Sequence, residues 1–469
     1  MNKLSQKLSQ KIDLILDKNK LLKTIIQKIA EHNGKAILVG GAVRDLLLDI
    51  HIKDLDIEVH GLMAEVLEKI LKSFGQVSLV GKSFGVFKLH GLDIDWSLPR
   101  TDSAGRKPNV EVDPFMSVQE AFRRRDITIN AIGIDLVSHE LLDPFNGQAD
   151  LQKGILRATD KELFLQDPLR FYRVMQFIGR FEMQPDEELN NICANMNIAN
   201  ISRERIEEEF EKLFLKSKRP SLGIKWLDQI NRLKEVLPEV YNLKNVPQEP
   251  SWHPEGDVFE HAMQAVDAAA TFEYENKYDK LILVIAALCH DLGKATCTQL
   301  IDGKYRSFGH EVESEKIAKT LLARITNNID LKRTVLKLVR YHMQPGALIK
   351  NKAGSAAYKR LAGHLVPYAN MKMLSQLFLA DRLGRNIIKG LPLPGPDLVV
   401  EEFVNKVKNL NIFDKPEDAL LQGKDLIEYI KPGPQLGEIL QEAYKLQIDD
   451  DIHDKEELKN IVLKKYLKK

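Results

Sequence analysis

The sequence predicts a small α/β head built on a mixed sheet with helices, followed by an all-α neck and body, a second α-helical domain and an α-helical tail. Three observations predict it. Strand-like runs crowd into the first part of the chain: "AILVGG", "DLDIEVHG", "QVSLV", "GVFKLHGLDIDWSL", "NAIGIDLV" and "GILRAT". Beyond residue 160 the apolar spacing is helical almost to the end. Breaks rich in proline, at 245–257 and 389–397, then divide the helical part. The boundaries read from these signals are 1–155, 156–250, 251–390 and 391–469. A length of 469 residues agrees with roughly three or four domains or subdomains. The polar stretch "PRTDSAGRKPNVEVDP" (99–114) reads as a mobile loop within the head, and no internal repeat is visible.

Composition narrows the class without choosing a partner. A hydrophobic fraction of 44% with 29% charged residues is that of a globular protein. With 68 basic against 67 acidic residues, the net charge of +1 neither announces nor excludes a nucleic-acid partner. The three cysteines, Cys193, Cys289 and Cys297, have no ligand-type spacing and suit a reducing compartment. The N-terminal stretch breaks each short apolar run with Lys, Gln or Asp, unlike a secretory signal. No window approaches the roughly 18 apolar residues of a membrane span. These readings point to a cytoplasmic protein with no membrane partner.

The head carries its chemistry in "ILVGGAVRDLLLDIHIKDLDIEVHG" (37–61). An apolar strand runs into Gly40 and Gly41, turns into a helix that opens with Arg44 and Asp45, and returns as a strand with Asp54 and Asp56. Residues two apart share one face of a strand. Two neighbouring carboxylates repel, so a cation is expected between them, and Mg²⁺ suits carboxylates combined with phosphate oxygens. Glycines between strand and helix let backbone N–H groups approach an anion, for which phosphate is the natural guest. Asp95, in "LDIDWSLPR", is a candidate third carboxylate. This is equipment for two-metal displacement at a phosphoryl group. Each part alone is ordinary, since a GG is usually a turn and a D-x-D pair usually a solvated strand edge. Their succession within about 20 residues is the rarer event.

"VGGAVRDLLL" followed by "KDLDIEVHG" resembles the first signature of class II tRNA nucleotidyltransferases and bacterial poly(A) polymerases, within the DNA polymerase beta superfamily. The resemblance continues in order. "LPR" (98–100) stands where a phosphate or sugar contact is expected, and "RRRDITINAIGID" (123–135) is similar to the second signature. "QDPLRFYRVMQF" (166–177) resembles the nucleotide-selecting signature, and "SRERIEEEFEKLFL" (202–215) the helical one after it. "QGKDLIEYIKPGPQLGEIL" (422–440) is similar to the C-terminal part of many members.

The resemblance implies a polymerase-beta-type nucleotidyltransferase head. Asp54 and Asp56 would hold Mg²⁺, with Asp95 as third catalytic carboxylate, and CCA would be added to the tRNA 3′ end from CTP and ATP without a template. It implies nucleotide-binding roles for Gly40, Gly41, Arg44, Asp45, Arg125 and Asp126, with Asn130 near the sugar. Arg44 and Arg173 would neutralise triphosphate charge, a task that suits a permanent guanidinium. Asp167 and Arg170 would read the base as a pairing base does.

That last role can be examined residue by residue. After Pro168 a helix is predicted with an apolar stripe at Phe171, Val174, Phe177, Ile178 and Phe181, and Asp167 and Arg170 fall on the same side. A carboxylate can accept from the amino group of cytosine or adenine, and a guanidinium can donate to a ring nitrogen or carbonyl. Asp167 with Pro168 also reads as a helix cap followed by Pro at the first turn, needing no ligand; that reading leaves Arg170 unexplained. Gln166 stands where the family commonly carries Glu, losing the charge that would orient the neighbouring arginine. Glu204 and Arg205 read as supports for the selecting helix.

Six of the twelve histidines, at 253, 261, 290, 310, 342 and 364, fall within 251–390 and raise a metal question. Three predicted helices end their apolar faces in ionisable groups: His342, Asp381, and His290 with Asp291. Such ends are costly to bury without a cation or hydrogen bonds. His261, the pair His290–Asp291 and Asp381 match the pattern of the HD phosphohydrolase superfamily, with His310 and His342 as candidate further ligands and Lys294 as a candidate phosphate contact. The resemblance implies a site for one or two divalent metals that hydrolyses phosphate esters. In nucleotidyltransferases of this build it is associated with phosphatase and 2′,3′-cyclic phosphodiesterase activity on RNA ends. Basic stretches at 212–226 and at the C-terminus suit RNA phosphates. The rival readings are a poly(A) polymerase or a CC-only or A-only enzyme of the same family. PII uridylyltransferases and stringent-response synthetases also join a nucleotidyltransferase to an HD domain, but lack "GGAVRD", "RRDITINA" and "QDPLR". A catalytically idle RNA-binding scaffold would have no need of the clustered charges. The oligomeric state is not readable.

Overall fold

The computed structural model describes residues 2, 3, 6–52, 54–80, 86–102 and 110–467. Residues 103–109, the middle of the predicted 99–114 loop, lie outside the described residues, as do residues 1, 4 and 5 of the N-terminal stretch and the last two lysines of the basic C-terminus. The chain divides into two compact units, 1–209 with 229–231, and 210–228 with 232–469.

The first unit is built on an eight-stranded sheet. Its strands are β1 (Asn2–Lys3), β2 (Lys35–Val39), β3 (Leu55–His60), β4 (Val77–Val80), β5 (Val86–Leu89) and β6 (Ile94–Ser97). β7 (Arg100–Asp102) and β8 (Val110–Val112) form a separate antiparallel ribbon, so the predicted 99–114 loop begins and ends as paired strand. β9 (Gly133–Asp135) and β10 (Glu140–Leu142) complete the large sheet, in the order β1-β10-β9-β2-β3-β6-β5-β4. Only the β3–β6 pairing in it is parallel, which makes the sheet mixed as the sequence predicts. The run predicted as one strand, 85–98, is two, because the chain turns at Gly91 with φ +85.

The period of two in β3 decides what each face does. Ile57 and Val59 enter a core with Ile94 and Trp96, closed over by the helices Gln6–Lys18 and Lys20–Glu31. In those helices Leu8, Ile12 and Leu16, and Leu22, Ile25, Ile26 and Ile29, recur at helical spacing and are buried. The opposite face holds a smaller cluster of Ile37, Val39, Ala121, Phe122 and Ala131, leaving room there for the polar residues of β3. The helix after β2 spans Gly41–Leu47, starting three residues before Arg44. The helix Leu169–Phe181 buries Phe171, Val174, Phe177 and Ile178 of the predicted stripe, and Leu169, Tyr172 and Met175 beside them.

In the second unit the helices Val258–Thr271, Lys277–Cys289, Ile329–Tyr341 and Met371–Leu383 pack together. Lys277–Cys289 is buried continuously from Leu281 to Cys289, matching its apolar composition on all sides. A further core near the C-terminus gathers Leu426, Leu436, Ile439, Leu458 and Val462. Among the described residues no helix is long and apolar enough to cross a membrane, and the three cysteines are free. Phe122, on the helix Val118–Arg123 that precedes Arg124 and Arg125, is fully buried and packs in one cluster with Ile37. Phe122→Ala is expected to destabilise the first unit by about 3–5 kcal/mol, read as a lowered urea midpoint for that unit.

Candidate active sites

Four polar residues follow one another at every second position from Asp54, which stands one residue before β3 rather than within it as the sequence predicts, along the open face of the strand. Asp54 and Asp56 are exposed, while Glu58 and His60 are buried. The parallel register sets Asp56 beside Asp95 on β6, and the next antiparallel register sets Asp95 beside Lys88, whose Nζ lies 3.0 Å from Asp95 Oδ1. The packed protein behind Asp56, with the carboxylates of Asp95 and Asp54, raises its pKa above the ordinary carboxylate value; Arg125 and Lys88 oppose the shift. Glu58 anchors the inner end of the row. It accepts from His60 Nε2 at 3.0 Å, and its other oxygen meets Arg124 Nη2 at 3.4 Å and Arg125 Nη2 at 3.6 Å. Burial alone would raise Glu58, but the His60 hydrogen bond and the two arginines hold it low. Arg125 in turn lies against Gly40, where φ is +70 and a Cβ would come within 2.9 Å of Nη1. Gly41 is similarly close to Arg44. Both glycines therefore make space for a guanidinium.

A chain of charged groups leads from this turn to the helix Leu169–Phe181. Arg44, only 4% exposed, donates from Nε and Nη2 to Asp45 Oδ1 and from Nη1 to Asn130 Oδ1 at 2.6 Å. Asn130 Nδ2 donates to Asp126 Oδ1 at 2.9 Å, and Arg173 Nε donates to Asp126 Oδ2 at 2.7 Å. Burial would push Asp126 up; the charge of Arg173 and these hydrogen bonds bring it to about 2 instead. Arg180 Nη2 reaches Asp45 Oδ2 at 3.4 Å, and Arg44 and Arg180 both lie over the Phe181 ring, at 4.5 and 4.6 Å. Arg44 and Arg173 are thus engaged with aspartates as well as supplying positive potential.

Asp167 does the work of a cap, accepting from Leu169 N at 3.2 Å, and also pairs with Arg205 Nη2 at 3.2 Å. Arg170 donates to the carbonyls of Leu163, at 2.9 Å, and Arg124. Its orientation is therefore set by main-chain acceptors, while Gln166 stands exposed.

The second unit gathers its predicted groups into one buried centre. His261 Nε2 lies 3.2 Å from both His290 Nε2 and Asp381 Oδ1 and 3.5 Å from Asp291 Oδ2. His290 Nε2 lies 3.2 Å from Asp291 Oδ2. The other oxygen of Asp291 is 3.1 Å from His310 Nε2, which is 3.2 Å from His342 Nε2. The four Nδ1 atoms all face acceptors: Glu255 Oε1 at 2.8 Å for His261, and the carbonyls of Ala287, Ser307 and Val339 at 2.7–2.8 Å for His290, His310 and His342. Carbonyls and carboxylates only accept, so these bonds put the ring hydrogen on Nδ1 and leave Nε2 as an inward lone pair. Converging lone pairs and carboxylates at 3.1–3.5 Å repel one another, and a cation relieves this. Among the described residues, the groups of three whose ligating atoms all lie within 4.8 Å of one another are His261–His290–Asp381, Asp291–His310–His342 and His253–Glu255–His261. Asp291 belongs to the second of these groups and also turns its Oδ2 toward His261 and His290 of the first.

Lys294 Nζ is 2.7 Å from Asp291 Oδ2 and 2.9 Å from Gln248 Oε1, and Arg385 Nη2 is 2.7 Å from Asp381 Oδ1. His364 is exposed, stacked on Tyr341, and takes no part. Sequence reasoning missed Glu255, which is fully buried and accepts from both His253 and His261. The signal was present as His253 and Glu255 two apart and shortly before His261, but it lay inside a break read as a boundary. It also missed Glu58 and His60, although they continue the spacing of Asp54 and Asp56. Of the 212–226 stretch, Arg219 is spent on the Gly390 carbonyl and Lys225 on Glu260, while Lys216 and Lys218 are exposed.

The profile described as "Poly A polymerase head domain" matches residues 36–157, that of the "Probable RNA and SrmB- binding site of polymerase A" residues 187–243, and that of the "HD domain" residues 258–385. A Multifunctional CCA protein of Nitrosospira multiformis is 35% identical over 66% of this chain and 73% of its own. One from a Janthinobacterium species is 32% identical over 77% and 85%. Among solved structures, the Bacillus stearothermophilus CCA-adding enzyme in complex with CTP matches 94% of this chain and 96% of its own with a TM-score of 0.65 at 19% identity, a likeness of fold.

Two outcomes follow from the buried charges. Asp126, with a pKa of about 2 against 3.8 for the free side chain, contributes stability that is present above about pH 4 and is lost as pH falls through 2. The pH-dependent part of the stability difference between the native chain and Asp126→Asn is expected to be about 2 kcal/mol, seen as a gap in unfolding free energy that narrows over that window. Glu255→Gln is expected to weaken Mn²⁺ binding at the histidine centre about 10–100-fold by calorimetric titration, because the Nδ1 hydrogen of His261 loses its carboxylate.

Proposed function

Because the chain belongs to the multifunctional CCA protein family, we propose that its first unit adds C, C and A to the 3′ end of tRNA from CTP and ATP without a template. The observation that carries the reading is the row Asp54–Asp56, with Asp95 in register beside Asp56, on the face that Arg125 and the Gly40 turn share. In this reaction the tRNA 3′ hydroxyl attacks the α-phosphate in line. A phosphodiester forms as the bond to the β-phosphate oxygen breaks, and pyrophosphate leaves.

Asp54, Asp56 and Asp95 are hard oxygen donors brought close together, and the burial and neighbouring carboxylates that raise Asp56 fit them to Mg²⁺. Such an ion supplies Lewis-acid stabilisation of charge on the reacting phosphate. Arg125, braced by Glu58, brings fixed positive charge to the glycine turn, and Arg44 and Arg173 add theirs from behind. Asp167 and Arg170 select the base. Cytosine and adenine both present an amino donor beside a ring-nitrogen acceptor, whereas uracil and guanine present a carbonyl beside an N–H. A carboxylate that accepts and a guanidinium that donates match the first pair and oppose the second. Arg170 enters this role already oriented by two carbonyls, and Asp167 exchanges its partner Arg205 for the base. Lys218 of the 212–226 stretch is exposed and suits an RNA phosphate.

For the second unit we infer metal-dependent hydrolysis of phosphate esters at RNA 3′ ends, including 2′,3′-cyclic phosphates. His261, His290, Asp291 and Asp381 would hold one divalent ion and Asp291, His310 and His342 a second, and the lone-pair convergence described above is what fits them to it. A bound ion there supplies Lewis-acid activation of phosphate and water. The chain's own share is to orient the imidazoles through Glu255 and the three carbonyls, and to offer Lys294 and Arg385 as cations at the pocket wall. A tRNA substrate and three free cysteines support a cytoplasmic place of work.

The test is incubation with Mg²⁺ and tRNA lacking its last three nucleotides, with products resolved at single-nucleotide length. CTP alone is expected to add two residues, and CTP with ATP to stop at three. An open-ended tail from ATP alone would instead identify a poly(A) polymerase.

A further inference from the structure

The histidine centre of the second unit opens to solvent through a pocket of about 280 Å³, and part of that pocket's wall has no role in the chemistry above. Trp252 and Phe308 stand in this wall, 62% and 72% exposed. Large rings that leave most of their surface in water beside a polar centre contribute little to folding and mark a recognition surface. Both are fixed close to the centre. Trp252 directly precedes His253, whose Nδ1 bonds the same Glu255 oxygen that takes His261. Phe308 lies between Ser307, whose carbonyl accepts from His310 Nδ1 at 2.7 Å, and Gly309, whose φ of +73 turns the chain into His310. The Arg306 guanidinium lies 5.9 Å over the Phe308 ring, so a cation and a π-face share the mouth.

We propose that Trp252 and Phe308 form a stacking mouth for the base of a terminal nucleotide, whose phosphate ester then reaches the His–Asp centre. The inference rests on the phosphohydrolase reading of the second unit. Every base has a π-face, so aromatic stacking recognises a nucleotide without choosing its sequence. A pocket at the lower end of the roughly 300–1,000 Å³ range of small-molecule sites admits one nucleotide rather than a duplex, so RNA enters by its end. Arg306 is suited to the phosphate that precedes that nucleotide. The mouth makes the site favour nucleotide phosphates over phosphate esters that carry no base.

The experiment uses the full chain supplied with Mn²⁺ and compares adenosine 3′-monophosphate with glycerol 2-phosphate. In each, water adds to phosphorus, the ester P–O bond breaks, and inorganic phosphate leaves with adenosine or glycerol. Trp252→Ala and Phe308→Ala are each expected to lower the ratio of the two kcat/KM values about tenfold or more; an unchanged ratio overturns the proposal. Binding gives a separate readout, since Trp96 and Trp226 are buried and Trp252 alone of the three tryptophans is exposed. Adenosine 3′-monophosphate is expected to quench the emission of the native chain and not that of Trp252→Phe. Quenching without phosphate release would leave the stacking mouth standing and sink the phosphohydrolase reading. Release with no quenching and an unchanged ratio would do the reverse. A short RNA ending in a 3′-phosphate, run alongside, shows whether the mouth works on RNA ends or on free nucleotides; a ratio to glycerol 2-phosphate that falls in the two variants for either substrate upholds it.

Discussion

The buried carboxylate of Asp126 is the constraint around which the first unit's site is organised. A charge taken out of water is tolerated only when it is paired and hydrogen-bonded, and Asp126 has Arg173 on one oxygen and Asn130 on the other. Asn130 passes the demand to Arg44, Arg44 to Asp45, and Asp45 to Arg180. The glycine turn after β2 is thereby joined to the helix Leu169–Phe181 at Arg173 and at Arg180, about two turns further on. An enzyme that chooses its nucleotide without a template needs such a join, because the groups that read the base must be held in fixed geometry to the carboxylates that serve the transfer.

The second unit applies the same rule with the opposite remedy. In the first, arginines answer the buried carboxylates within the protein. In the second, four imidazoles turn their lone pairs inward onto two aspartates, and Lys294 and Arg385 stand against them. The remaining demand is for a cation from outside, and the hydrogen bonds on the far side of each ring keep that demand in place.

How much of this can be read from the sequence depends on how local each feature is. The mixed α/β head and the helical remainder are legible because the period of apolar residues is a local property, and so is the shared face of Asp54 and Asp56. His342, Asp381 and His290 stand out for a similar reason, as polar ends of apolar helix faces. Pairing between distant segments is not local. The parallel register that sets Asp95 beside Asp56 depends on how β3 and β6 meet, and β1 and β10 are too short to carry a periodic signal. Glu58 and His60 continue a visible spacing, yet the arginines that meet Glu58, Arg124 and Arg125, come from far along the chain. Glu255 sits among prolines and a glycine that read as a linker, and only the fold shows that this linker lines a site. The engagement of Arg170 with two carbonyls is likewise invisible in a helical pattern.

The acidic row that leads from Asp54 into β3 is what we propose carries the nucleotide transfer. The measurement that tests it most directly is incorporation of labelled CTP and ATP into tRNA lacking its 3′ CCA by an Asp56→Ala chain whose folding is verified by its unfolding transition. Incorporation of both nucleotides is expected to be abolished while the chain remains folded. Incorporation at the native rate would contradict it and remove the row from the chemistry.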